Sequence, residues 1–137
     1  MGEDTQPPPA GAIVRAVTIA THGLSHLSLA VRDLDRTARF YAVFGCAEYS
    51  RDAKCVQLLG PTGRDVIALE LMPEHAGAVG GVRHFGFRLV RAEDIDAAVE
   101  AAVAAGGTLQ RRGSFAPGCP YAYVTDPDGY TVEIWFE

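Results

Sequence analysis

Cysteine is scarce in this chain and follows no recognisable pattern. Cys46, Cys55 and Cys119 are odd in number and show no C-x-x-C spacing, so they read as reduced thiols in a cytoplasmic protein. Cys119 falls in an expected loop, where it reads as an inert small residue. Long apolar runs are also missing: none approaches the roughly 20 residues that a membrane span needs. Positive charge is in deficit. A net charge of −5 disfavours nucleic acid or an anionic membrane as partner, since both require a basic face. The first residues lack the basic start of a signal peptide, because Glu3 and Asp4 precede a run of prolines.

What is present is a globular composition, 48% apolar over 137 residues, enough to bury a core without staples. Residues 1–21 are expected to form a flexible tail or an extra strand. The domain is expected over 22–137, in two modules at about 22–73 and 82–137.

The two modules repeat one plan. His26 opens the strand-like run His26-Leu-Ser-Leu-Ala-Val, and His84 opens His84-Phe-Gly-Phe-Arg-Leu. A helical stretch follows each, over 33–44 and 94–105. The first begins at Asp33 as N-cap, and the two end at Gly45 and at Gly106-Gly107. Further strands follow over 47–51, 54–59 and 65–72 in the first module, and over 108–112, 121–125 and 130–136 in the second. Asp126-Pro-Asp-Gly129 is a strong turn signal. The last strand of each module carries a glutamate, Glu70 or Glu133.

Strand alternation places these four residues on one side. Leu27, Leu29 and Val31 share a face that meets a helix, leaving His26 on the other; Phe85, Phe87 and Leu89 do the same for His84. Glu70 and Glu133 also fall on the face away from the helices. Two imidazoles and two carboxylates suit a divalent ion such as Zn, Ni, Co, Fe or Mn. Positions left open on that ion mark a catalytic site rather than a structural one.

The motif His26-Leu-Ser-Leu-Ala-Val-Arg-Asp-Leu, with Phe40-Tyr41 and Gly45 after it, and the ending Tyr123-Val-Thr-Asp-Pro-Asp-Gly-Tyr-Thr-Val-Glu133, resemble the vicinal oxygen chelate superfamily. The resemblance covers about residues 22–137. It implies an α+β fold of two βαβββ modules forming a cupped eight-stranded mixed sheet with helices on its outer face. It implies one divalent metal per site, held by His26, Glu70, His84 and Glu133, and a homodimer acting on a small molecule with vicinal oxygens. The His, Glu, His, Glu order resembles bacterial glyoxalase I, which implies lyase or isomerase chemistry through an enediolate, with Glu133 or Glu70 shuttling a proton. Tyr123, ten residues before Glu133, would assist. Where bacterial glyoxalase I carries an arginine that meets the glutathione carboxylate, four residues after the first histidine, this chain has Ala30; Arg88 projects from the same face and reads as an anion-binding candidate or a surface charge. Two alternatives stay open: a resistance protein that binds an antibiotic or natural product, and an Fe(II) dioxygenase using His26, His84 and Glu133.

Overall fold

The computed structural model describes residues 18–137. The first module runs β1 (His26–Val31), α1 (Leu34–Ala42), β2 (Ala47–Arg51), β3 (Cys55–Leu59) and β4 (Val66–Leu71). The second runs β5 (Phe85–Arg88), a 3₁₀ turn (Ala92–Asp94) leading into α2 (Ile95–Ala104), then β6 (Thr108–Ala116), β7 (Cys119–Thr125) and β8 (Thr131–Trp135). The expected βαβββ plan therefore occurs twice. Hydrogen bonding divides the strands into two four-stranded mixed sheets, ordered β1-β4-β3-β2 and β5-β8-β7-β6. The extra strand or tail expected over 1–21 lies outside the described residues as far as residue 17, and residues 18–25 carry no strand.

Local chemistry explains the element ends. Asp33 has an extended backbone, and its carboxylate accepts the Arg36 N–H, capping α1. That bond holds the Asp33 carboxyl below its ordinary range. Gly45, with φ of 82°, follows the last turn of the helix. One expectation fails in the second module. β6 was expected to stop near residue 112, with Cys119 in a loop, yet the strand runs to Ala116 and Cys119 opens β7. Pro117-Gly118 is the reason. Gly118 has φ of 79°, which a two-residue turn with proline first and glycine second requires, and Ala116 pairs with Cys119 across it.

Both sheets turn one face inward against α1 and α2. Leu29, Val31, Phe40, Tyr41, Val56, Leu58, Leu69, Val99, Val124, Val132 and Ile134 form one continuous core across both modules. Aromatic contacts join the halves: the Phe44 and Phe87 rings stack at 4.4 Å, and Tyr41 lies 6.1 Å from Phe85.

A buried polar tie reinforces the seam. The Tyr41 hydroxyl donates to Asp126 Oδ2 at 2.6 Å, and Thr37 Oγ1 donates to Asp128 Oδ2 at 3.0 Å. Arg32 and Arg36 both reach Asp128 Oδ1 at 3.3 Å. The other Asp126 oxygen accepts the backbone N–H groups of Asp128, Gly129 and Tyr130. The Asp-Pro-Asp-Gly motif is thus more than a turn, since its two carboxylates anchor α1 of the other module. Burial nevertheless pushes Asp126 above its ordinary value. Burial, with the Asp126 charge beside it, drives the Tyr41 phenol well up.

Candidate active site

The faces away from the helices are the exposed ones, and the candidate residues lie there. In the second module, β5 and β8 run parallel with Gly86 opposite Glu133. His84, just ahead of β5, brings its Nε2 to 3.1 Å from Glu133 Oε2. The carboxylate is nearly enclosed, its side chain 13% exposed against 37% for the imidazole. Gly86 allows this proximity, because a Cβ there would stand 3.2 Å from Glu133 Cβ and 3.0 Å from its carbonyl oxygen. Tyr123 on β7 is the register partner of Glu133, and its ring meets the His84 ring edge-on at 5.2 Å. An aromatic row continues outward from it through Tyr121 to Phe115.

The first module is arranged differently. His26 is paired with Val66, and its imidazole meets Ser25, Nδ1 to Oγ at 3.0 Å. Glu70 is opposite Ala30, and its Oε2 accepts the Ser28 hydroxyl at 2.6 Å. The parity expected for all four residues holds, but the register differs between halves. Glu133 faces the residue two after His84, whereas the residue facing that position in the first module, Ser28, is Ala68. Glu70 therefore stands one pleat further along, roughly 6–7 Å. A hollow of about 290 Å³ around His26 is lined by Ser25, Tyr49, Gln57, Arg64, Val66 and Ala68, and Glu70 is not part of it. Among the described residues, no three His, Cys, Asp or Glu side chains converge closely enough to hold one metal ion.

The His84–Glu133 pair by itself fits a metal edge. Two donors each about 2.1 Å from an ion, at angles of about 90–110°, stand about 3.0–3.4 Å apart, and the observed separation is 3.1 Å. Imidazole and carboxylate also suit a borderline divalent ion.

Arg88, the anion-binding candidate of the sequence, is engaged elsewhere. Its guanidinium lies over Trp135 at 5.4 Å and donates to the Glu137 carbonyl. Sequence reasoning missed Arg111, whose guanidinium sits 4.6 Å from the centre of the Tyr123 ring. Alternation alone sets these neighbouring arginines on opposite faces without saying which is which; the structure turns Arg112 to Asp96 on α2 and Arg111 to the other face.

A larger hollow of about 710 Å³ lies on the helix side, between the turn at Pro61 and Thr62 and the α2 residues Ala97, Ala98 and Ala101. No histidine lines it, and neither does Glu133, although Gly86, the register partner of Glu133, stands at its edge.

A doubled βαβββ unit with a histidine heading the first strand of each half and a glutamate closing the second defines a protein of the vicinal oxygen chelate type. The chain belongs to the Glyoxalase/Bleomycin resistance protein/Dioxygenase superfamily, whose profile matches residues 23–134. Among solved structures it is similar to a glyoxalase-related enzyme from Fulvimarina pelagi, at 29% identity and a TM-score of 0.70, covering 85% of this chain and 89% of that one. It shares its fold with a fosfomycin resistance protein from Listeria monocytogenes, at 23% identity and a TM-score of 0.72, covering 86% and 95%. A lactoylglutathione lyase from Agrobacterium tumefaciens has the same fold at 21% identity and a TM-score of 0.64, covering 85% and 94%. Among curated proteins, none matches the sequence.

Proposed function

We propose that the chain is a metal-dependent enzyme acting on a small substrate with two adjacent oxygens, by lyase or isomerase chemistry. The contact between His84 and Glu133, at the separation two ligands of one ion adopt, carries this reading. His26 heads the equivalent strand on the equivalent face. It completes a two-histidine, one-glutamate set when the first module of a second copy faces the second module of the first. Register favours this three-ligand form, with Glu70 left on Ser28; the same three residues serve the dioxygenase alternative, so the identity of the metal separates the two. The proposal therefore includes a homodimer with shared sites. Exposed Leu24, Val79 and Val82 lie near the two histidines in sequence and supply apolar area for such an interface. The free thiols accord with a reducing, cytoplasmic setting.

A divalent ion held there supplies Lewis-acid polarisation of the substrate oxygens. The chain's own groups do the rest. The Tyr123 hydroxyl, next to His84, donates to charge developing on a substrate oxygen. The Glu133 carboxylate, low in the cup, is placed to take up and return a proton.

The test is metal analysis of protein purified with and without air. About one nickel, cobalt, zinc or manganese ion per chain supports the lyase or isomerase assignment. Iron retained only without air, with oxygen consumed on a catechol-like substrate, replaces it with the dioxygenase assignment. The aromatic row of exposed Phe115 and half-buried Tyr121 and Tyr123 favours a second reading, a protein that sequesters a drug-like molecule. Tight ligand retention after the metal is stripped would establish that reading instead.

A further inference from the structure

We infer that Arg111 is a specificity-determining residue that binds an oxyanion of the substrate, a carboxylate or a phosphonate, beside the Tyr123 ring that also contacts His84. The inference deepens the proposed function and rests on the second-module cup being the substrate site.

Four observations converge on it. First, the Arg111 guanidinium lies flat enough on Tyr123 to sit 4.6 Å from its ring centre, an arrangement that fixes the fork while leaving its N–H donors free. Second, its charge is not neutralised. Arg32, Arg36, Arg51, Arg91 and Arg112 each have a carboxylate within ion-pair distance, and among the described residues Arg111 has none. Third, a break in the β6–β7 register between Leu109 and Arg111 sets Arg111 opposite Tyr123, and bulges of this kind re-aim side chains beside sites. Fourth, the same Tyr123 ring touches His84. One aromatic ring therefore touches both a guanidinium without a carboxylate partner and the imidazole of the His84–Glu133 pair, so a small molecule bound beside it can place an anionic end on Arg111 and its reacting oxygens at His84 and Glu133.

The chemistry on both sides of this cup supports an anionic tail. Ala30 offers nothing to an anion, and Arg88 is taken up by Trp135 and the Glu137 carbonyl. A guanidinium fork matches a planar carboxylate with two parallel bonds and meets a phosphonate equally well.

Benzoate, phenylphosphonate and neutral benzyl alcohol serve as probes, titrated into the full chain by calorimetry and followed by NMR signals of Tyr123 and His84. Wild type should bind at least one anionic probe saturably, shift those signals, and bind benzyl alcohol far more weakly. R111M should weaken anion binding by about tenfold or more, the expected loss for a charge-assisted contact. R112M, which removes a charge from the helix face, should leave anion binding unchanged. Melting curves and nickel titrations of R111M should match wild type, because Arg111 is exposed and holds no metal. The inference is overturned if neither anion binds wild type saturably, or if R111M binds it as tightly as wild type does. The two proposals fail separately: R111M-sensitive anion binding in a protein that takes up no metal keeps the oxyanion site and removes the metal enzyme. Preference between benzoate and phenylphosphonate distinguishes the two oxyanions.

Discussion

His84 and Glu133 sit 3.1 Å apart at the floor of the second module, and their first-module counterparts do not meet. On the proposed reading this pair is half of a metal site, and His26 of a second copy supplies the other histidine. H84A and E133A should each lower nickel or zinc affinity by at least about tenfold, measured by calorimetry, since each removes half of the assembled pair. E70A should change metal affinity less than twofold. A loss on E70A equal to that on E133A would restore the four-ligand set.

Sharing between copies can be tested by mixing. H26A and H84A chains should each be inactive. Co-refolded, they should regain about half of wild-type turnover per mixed dimer, or about a quarter over a randomly paired sample, because one of the two sites in a mixed dimer then carries both lesions and the other none. Sites built within single chains would regain nothing, and a monomeric mass at micromolar concentration would remove the dimer.

Tyr123→Phe keeps the ring against His84 and under Arg111 while removing the hydroxyl. Turnover should fall by roughly tenfold to a hundredfold, as for loss of one oxyanion donor, with metal content and melting temperature unchanged. Unaltered turnover would assign the phenol to packing alone.

The tie at the seam makes a prediction about acid. Burial raises Asp126 above its usual 3.8 in the folded chain, so the folded state holds that proton more tightly than the unfolded state does. Its contribution to stability is therefore fully present below pH 3.8 and is lost as pH rises through the folded value, opposite in sign to a salt-bridged aspartate. D126N keeps an oxygen for the three backbone N–H groups and can donate its amide N–H to Tyr41. Urea unfolding at a series of acidic pH values should show this component in wild type and not in D126N. Tyr41→Phe, which leaves Asp126 Oδ2 without its donor, should cost about 1–3 kcal/mol at neutral pH.

The sequence carried the parity of the site but not its register. Alternation with period two places 66, 68 and 70 on one face of β4 equally well, so a glutamate at 70 looked equivalent to the one at 133. Only the β1–β4 pairing shows Ala68 in the matching position. The same limit concealed Arg111, whose alignment with Tyr123 depends on a break in β6 that no pattern announces. Cys119 was misplaced because Pro117-Gly118 reads as the start of a loop and instead closes a tight hairpin. The helices and the histidine-headed strands were legible because capping chemistry and apolar spacing act locally. The second use of Asp126 and Asp128 was not, since their partners on α1 lie about 90 residues away in the chain.

The two flanks of the doubled fold are fastened unequally. Where α1 meets the Asp126–Gly129 turn it brings Arg36, Thr37 and Tyr41, and the flank is clamped. Where α2 approaches the turn at Pro61 and Thr62 it brings Ala97, Ala98 and Ala101, and an open hollow remains. The buried carboxylates therefore tie α1 to the second module with polar contacts of fixed direction, whereas the alanines that α2 turns toward Pro61 and Thr62 have no polar side chain to offer in return.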